Sequence, residues 1–158
     1  TIMNIYKIFF TFFIVNFGAL AIGGLFTGPG VASDWFNSLH QAPWNPPGWV
    51  FGVAWTIIMI CFTFYMTTLF SSVINRRKLL LLFGIQWLLN VGWSIAFFHF
   101  QAPIIALIII SALTINLISL LLFYTNRSRL SFFFLLPYLV WIIIATSLNF
   151  YIVLNNIS

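Results

Sequence analysis

Two sets of amide and aromatic side chains are spaced so that each set lies on one face of a helix. Together with Trp55, in an earlier apolar segment, they supply the aromatic walls and few polar groups that a site for a flat apolar molecule requires. Alternatively, the amides link helices, at about 1 kcal/mol each, and the indoles fill a core; the sequence leaves both interpretations open. The first set is Gln86, Asn90, Trp93 and Phe97, and the second is Tyr138, Trp141, Ala145 and Asn149.

Residues suited to catalysis are scarce. Asp34 is the one acidic residue, so the sequence lacks the paired carboxylates of general acid–base catalysis. The spacing of Asp34, His40 and the serines does not support a Ser-His-Asp triad, and the single Cys61 excludes a cysteine-based metal cluster. His40 and His99 are candidates for contacts with a ligand carboxylate, or are ordinary interfacial histidines. We therefore expect ligand binding without turnover, and neither a resident cofactor nor a metal site.

The helices that carry these faces are expected to lie in a membrane. Hydrophobic residues make up 63% of the 158 residues, mean hydropathy is +1.12 and 4% are charged, against about 25% in soluble domains. This composition excludes a soluble globular domain and a disordered chain. Apolar runs near the roughly 20 residues that cross a bilayer predict helices and not barrel strands. We expect one all-α membrane domain over 1–158, a five-helix bundle with spans at about 5–26, 49–71, 79–98, 104–124 and 132–154.

The positive charges predict the orientation of this bundle. With alternating spans, all six Lys and Arg residues fall at one end, and the positive-inside rule places that end and the N-terminus in the cytoplasm and the C-terminus outside. Six cations in 158 residues are too few to indicate a surface that binds nucleic acid. The apolar start also resembles a signal peptide cleaved near Ala21, but the apolar run continues to Phe26, which favours a retained helix. The cations are Lys7, Arg76, Arg77, Lys78, Arg127 and Arg129.

The connection at 27–47 is longer than the others and reads TGPGVASDWFNSLHQAPWNPP. Long loops in compact domains are functional or disordered. We expect a short helix from Asp34 to Leu39, capped by the Asp34 carboxylate, with the three prolines near its end stiffening the return. The predicted result is a folded lid over the outer end of the bundle; interfacial tryptophan anchors are the alternative.

Three blocks of the sequence, in this order, resemble the signature of the TspO/MBR family, the tryptophan-rich sensory proteins, translocator proteins or peripheral-type benzodiazepine receptors. The resemblance covers nearly the whole chain and is that of a bacterial-type member. The blocks are Trp35-Phe36-x-x-Leu39-x-x-x-Pro43-Trp44-x-Pro46-Pro47-x-Trp49-x-Phe51-x-x-x-Trp55-Thr56, Gln86-Trp87-x-x-Asn90-x-x-Trp93-Ser94-x-x-Phe97-Phe98 and Pro137-Tyr138-x-x-Trp141-x-x-x-Ala145-Thr146-x-Leu148-Asn149.

The resemblance implies a five-helix bundle in the bacterial inner membrane, with a pocket beneath the first outer loop that binds porphyrins such as protoporphyrin IX or haem. It also implies a homodimer, for which Gly92 and Ala96 offer a small-residue seam, unless they pack within the monomer. Combined with the two helix faces and Trp44 of the loop, it gives a predicted ligand site of Trp35, Phe36, Pro43, Trp44, Trp55, Asn90, Trp93, Phe97, Tyr138, Trp141, Ala145 and Asn149.

Some positions depart from the family pattern. Val53 and Met59 stand where Pro and Tyr are usual, and Phe36 replaces a common Tyr, which removes a hydroxyl group. Animal members carry a sterol motif at the end of the last helix, but here Tyr151 is followed by no Lys or Arg. Sterol binding is therefore not expected.

The resemblance implies a sensor or regulator of porphyrin or of a stress response. An alternative is light-dependent porphyrin degradation, with Trp55 and Trp141 as electron donors. A weaker alternative is a porphyrin or lipid transporter, because the spans lack the ionisable relay that coupled transport uses. If His40 and His99 meet the porphyrin carboxylates, affinity should rise below about pH 6.5, where histidine gains its charge.

Overall fold

The structure is a computed structural model that describes residues 2–124 and 129–156. These residues form six α-helices and one π-helical turn, and five of the helices are long and apolar enough to cross a membrane. The predicted all-α membrane fold is therefore confirmed. The helices are α1 (Ile2–Val31), α2 (Asp34–Ser38), α3 (Gly48–Ser72), α4 (Arg76–Ser94, extended by the π-helical turn Ile95–His99), α5 (Pro103–Tyr124) and α6 (Arg129–Asn156).

The five long helices form a closed ring. Around the bundle the order is α1, α3, α6, α5 and α4, and α4 returns to pack on α1. Successive helices are apolar on most of their circumference, as expected where one side faces the core and the other faces lipid. The core at the centre of the ring is aromatic: the Phe62 ring stacks on Phe83 with centroids 6.0 Å apart, and Tyr138 meets Phe62 edge to face at 5.3 Å.

Helix α1 runs five residues further than expected, so the loop begins at Ala32 and not at Thr27. Pro29 lies inside the last turn and removes one backbone donor there. Tertiary packing holds the turn in place: Gly30 lies so close to the Phe98 ring that a Cβ atom would overlap it, and Val31 lies against Gly48. These contacts between distant residues were not visible in the sequence.

The loop between α1 and α3 is folded, as predicted, although its capping residue is different. The Phe36 amide donates to the Ser33 hydroxyl at 3.1 Å, so Ser33 and not Asp34 is the N-cap of α2. Ser33 precedes the helix and its backbone is extended, which lets its side chain fold back over the first turn. Asp34 occupies the first helical position, where its carboxylate faces the positive end of the helix dipole.

Buried amides join neighbouring helices of the ring. Asn149 of α6 accepts from the Trp93 indole N–H of α4 at 3.1 Å and donates to the Pro103 carbonyl of α5 at 2.9 Å, so one side chain links three helices. In the same way Asn16 of α1 donates to the Thr63 hydroxyl of α3 at 3.0 Å. Gln86 of α4 donates to the Tyr138 hydroxyl of α6 at 2.6 Å. In a bilayer no water competes for these groups, so each bond fixes the relative position of two helices.

The bond between Gln86 and Tyr138 gives a test of this packing. Tyr138→Phe keeps the ring but removes the hydroxyl that the fully buried Gln86 amide contacts. We expect a loss of about 1–2 kcal/mol in the free energy of unfolding in detergent, because a buried amide loses its partner. Tyr6→Phe, on an exposed side chain of α1, is the matched control. Equal stability of the two variants would contradict the assigned role.

Candidate functional site

A crevice of about 330 Å³ opens between α1 and α3 near the lid. Seven of its fifteen lining residues are glycine or alanine. Three of the glycines, Gly24, Gly28 and Gly52, have no atom within 4 Å of the place where a side chain would begin. The lining residues are Ala19, Leu20, Gly23, Gly24, Thr27, Gly28, Val31, Ala32, Gly48, Trp49, Phe51, Gly52, Trp55, Asn90 and Ser94.

Polar groups of α3 and α4 reach this crevice. Trp55 and Asn90 both line it, and neither the Trp55 indole N–H nor the Asn90 carboxamide is hydrogen-bonded to another described residue. Ser94 lies beside Thr27, with their hydroxyl oxygens 3.4 Å apart. The crevice therefore combines flat apolar walls with hydrogen-bonding groups whose capacity the protein itself does not use.

The space beneath the lid is nearly filled. It measures about 20 Å³ and is bordered by Phe36 of the lid and by Trp93, Phe97, Ala145 and Asn149 of the two predicted helix faces. The Trp93 and Phe97 rings stack with centroids 5.6 Å apart and an angle of 27° between the planes. The Trp93 N–H and the Asn149 amide already bond each other and the α5 backbone. In this arrangement the predicted faces meet, but they leave no room for a ligand.

Side chains of the π-helical turn fill this space. Phe97 and Phe98 both belong to the turn and line the space. Both rings are buried, and they meet edge to face at 4.9 Å. Phe98 then packs on Gly30 of α1, while Phe97 contacts the Trp35 ring of the lid at 5.7 Å. π-Helical turns are rare and frequently lie at functional sites.

Phe51 of α3 separates the two spaces, because its side chain lines both. On its far side, Phe51 meets the Trp141 ring edge to face at 5.5 Å. The Trp141 indole N–H is buried without a hydrogen-bond partner among the described residues. Trp141 also borders an apolar groove of about 380 Å³ on the outside of α3 and α6.

The remaining predicted site residues lie outside both spaces. Tyr138 is fully buried deeper in the core, with its ring 5.7 Å from Trp55. Trp44 lies on the outside of α6, where its indole donates to the Ser147 hydroxyl at 3.1 Å. Pro43 is exposed in the lid and borders neither space. The site expected as one pocket is thus divided between a crevice with Trp55 and Asn90 and a closed space with five other residues.

The two histidines also lie away from these spaces. His99 contacts the Phe26 ring at 5.5 Å at the exposed end of the bundle, and His40 lies on the outer surface of the lid. Within the described ranges, no group of three or more His, Cys, Asp or Glu side chains is arranged to hold a metal ion. Binding that depends on pH through these histidines would require them to contact the ligand. Their positions outside both spaces do not support such a contact.

Sequence reasoning missed the glycines of the crevice. Gly24 and Gly28 are four residues apart, which is the small-xxx-small spacing that marks close helix approach in membranes. The same spacing was noted for Gly92 and Ala96 but not for α1. Ser94 and Phe51 were also missed as lining residues, although both occur in the sequence blocks that carry the family resemblance.

The lid is attached to α6 at its outer rim by hydrogen bonds and a ring contact. The Asn156 carboxamide accepts from the His40 backbone N–H at 2.7 Å and donates to the His40 carbonyl at 3.1 Å. Trp44 adds an edge-to-face contact with Tyr151, one turn earlier on α6, at 5.5 Å. Both attachments lie on the surface, so the lid is held at its rim as well as by buried Phe36.

Comparison with known proteins reveals similarity over nearly the full length. The profile of the TspO/MBR family matches residues 10–154. Tryptophan-rich protein TspO of Archaeoglobus fulgidus is 35% identical over 155 residues, or 98% of this chain and 99% of the relative. The protein of the same name from Chlorobaculum tepidum is 34% identical over 85% of this chain and 86% of its own length. Tryptophan-rich sensory protein of Cereibacter sphaeroides is 26% identical over 94% and 91%.

The attachment of the lid predicts a specific effect of Asn156→Ala. Loss of two hydrogen bonds to His40 should speed hydrogen exchange of the His40 amide about thirtyfold, because each bond contributes roughly 1 kcal/mol. Asn155→Ala is the matched control, since its amide donates only to Tyr151 within α6. An unchanged exchange rate in Asn156→Ala would show that the rim contact does not hold the lid.

Proposed function

Because the chain belongs to the TspO/MBR family, we propose that it is a membrane sensory protein that binds a porphyrin-type tetrapyrrole in the crevice between α1 and α3. The chain is an integral membrane protein by its five apolar helices. The sensory role is supported by the name of its relative in Cereibacter sphaeroides. The ligand class is inferred from the family resemblance and from the chemistry of the crevice.

The observation that carries this proposal is the glycine-lined wall of the crevice. Gly24, Gly28 and Gly52 all line the crevice, and no packed neighbour lies within 4 Å of the position where a side chain would begin at any of them. The absence of side chains at these positions leaves open space that an apolar ring could occupy. Trp55 supplies an aromatic edge at its inner end, and the Asn90 amide supplies a hydrogen-bonding group.

Among the described residues, the carboxylates of a porphyrin would find no cation here, because Lys7, Arg76, Arg77 and Lys78 belong to the other end of the bundle. The crevice offers instead the first turn of α3, where Gly48 and Trp49 line the opening. A helix N-terminus presents free backbone N–H groups and the positive end of its dipole. We expect this arrangement to give modest affinity.

At about 330 Å³ the crevice lies at the lower end of the roughly 300–1,000 Å³ that small-molecule sites occupy, so full insertion of a large macrocycle requires more room. Phe51 is the side chain that divides the crevice from the closed space beneath the lid. Its displacement by a ligand would join them and would disturb the packing of the lid. A partner protein that contacts the lid would then detect that the ligand is bound.

A second candidate function, light-dependent degradation of the bound porphyrin with dissolved oxygen as the terminal oxidant, is favoured by one contact. The Trp55 indole lines the crevice, and its ring meets Tyr138 edge to face at 5.7 Å. An adjacent tryptophan and tyrosine form a pair of oxidisable rings, of which one would touch the ligand. Trp141 is one ring further away, behind Phe51.

We further infer that the chain lies in the cytoplasmic membrane with its N-terminus in the cytoplasm. Lys7 near the start of α1 and the three cations at the start of α4 lie at one end of the bundle, and cations favour the cytoplasmic side. Arg127, which the same argument used, lies outside the described residues, and the backbone of Arg129 begins α6 at this end.

Filling the crevice tests the proposed ligand site. Gly52→Val places a side chain in open space within the crevice, so it should weaken protoporphyrin IX binding about tenfold without unfolding the protein, since overfilling a site costs roughly 1–3 kcal/mol. The measurement is tryptophan-quenching titration in detergent. Gly84→Val, at an equally open position of α4 that borders no described cavity, is the control. Equal affinity of both variants would refute the site.

The second function is tested by illumination. If Trp55 donates electrons to the excited porphyrin, Trp55→Phe should slow light-dependent loss of protoporphyrin IX absorbance while the titrated affinity changes little. Trp87→Phe is the control, because this indole bonds the Val15 carbonyl and lines neither the crevice nor the space beneath the lid. Bleaching at the rate of free porphyrin in the unaltered protein would remove this function.

A further inference from the structure

We propose that Arg76, Arg77 and Lys78, called here the basic arc, bind the headgroup of an anionic phospholipid. The arc occupies the first three positions of α4, at the end of the bundle away from the lid. This surface is separate from the crevice and does not depend on the proposed porphyrin function.

The charges of the protein leave the basic arc without an internal counterion. The sequence contains one acidic residue, Asp34, and Asp34 begins α2 at the opposite end of the bundle. A membrane helix of about 20 residues separates the two ends. The negative charge that neutralises three adjacent cations must therefore come from outside this part of the chain.

The position of these cations at a helix N-terminus adds to the need for an external anion. Cations in the first turn of a helix face the positive end of the helix dipole, which is the unfavourable end for them. Here Asn75 caps the helix by accepting from the Lys78 amide at 3.1 Å, and the cations follow directly. An anion bound at this turn would interact favourably with the three side chains and with the helix terminus together.

The outer two cations are held in place by aromatic rings of neighbouring helices. The Arg76 guanidinium lies 4.7 Å from the centre of the Phe70 ring in α3, and the Lys78 ammonium lies 3.2 Å from that of Phe123 in α5. Such cation–π contacts orient a charge while leaving its outer side free for an anion. Because successive residues of a helix are about 100° apart, Arg77 projects between these two anchored groups.

Arg77 stands above a face of α4 that is directed at lipid. Leu81 and Leu88 follow on that face at helical spacing and are 63% and 66% exposed. An arginine at the end of a lipid-facing stripe extends its apolar stem along the stripe and places its guanidinium at the headgroup level. We therefore expect the Arg77 guanidinium to reach the depth of the lipid phosphates.

Apolar residues around the basic arc favour a phospholipid over a free phosphate ion. Ile74, two residues before Arg76, is 91% exposed, and Leu122 and Phe123 are exposed on α5 beside Lys78. A free phosphate would use only the cations, whereas a phospholipid also covers this apolar surface with its acyl chains. The shared chemistry is a phosphate monoanion, and the apolar surroundings identify its source as lipid.

The test is native mass spectrometry of the purified full chain with added phosphatidylglycerol or phosphatidylcholine, which differ in net charge. We expect selective retention of phosphatidylglycerol. The variant Arg76→Gln/Arg77→Gln/Lys78→Gln should lose this selectivity at least tenfold, because each cation near an anionic surface contributes roughly fivefold. Lys7→Gln, a cation at the same end without a described aromatic contact, should lose no more than the effect of one charge.

Phe123→Leu keeps every charge but removes the ring beneath Lys78, and we expect it to lower selectivity about twofold to fivefold. Equal retention of the two lipids, or unchanged selectivity in the triple variant, would overturn the proposal. Displacement of phosphatidylglycerol by equimolar inorganic phosphate would also overturn it, since a free anion would then suffice. Circular dichroism of each variant verifies that the helices are intact, and Arg77→Gln alone replaces the triple variant if they are not.

Discussion

Buried polar side chains bond one another across helices where no water competes, and the ring of helices depends on these bonds. Asn149 shows this most clearly, because its amide joins α4 and α5 to α6 by accepting one hydrogen bond and donating another. Asn16 and Gln86 act in the same way between other pairs. Amides that the sequence predicted as ligand-binding groups, such as Gln86 and Asn149, therefore also hold neighbouring helices together.

The ring is open on the side where α1 and α3 adjoin. Between α1 and α3, glycines replace the side chains that elsewhere fill the space between helices, and Asn90 and Trp55 face that gap with unused hydrogen-bonding groups. The lid and the π-helical turn close the neighbouring space with Phe36 and Phe97. Closed and open regions therefore adjoin at Phe51, which makes the interface between them the natural place for a ligand to alter the structure of the lid.

The distribution of charge separates two surfaces with different chemistry. One end of the bundle carries the folded lid and the single carboxylate, and the other carries the described cations. A ligand near the lid must rely on helix termini and amides, whereas the opposite end attracts anions directly. We infer that this asymmetry assigns membrane orientation and lipid contact to one end and recognition of a largely apolar molecule to the other.

Hydropathy and composition alone determined the membrane location, the number of helices and the inward direction of the faces that carry Asn90 and Trp141, because these follow from the length of apolar runs and from helical periodicity. Helical periodicity predicts which residues share a face of a helix, but it does not predict the distance from that face to the neighbouring helix. Only the tertiary structure showed that Trp93 and Asn149 bond each other and that the open space lies beside the glycines. It also showed that residue 30 must lack a side chain, because the Phe98 ring packs directly on it. The separation of two helices depends on the size of side chains that are distant in sequence, and only their packing reveals it.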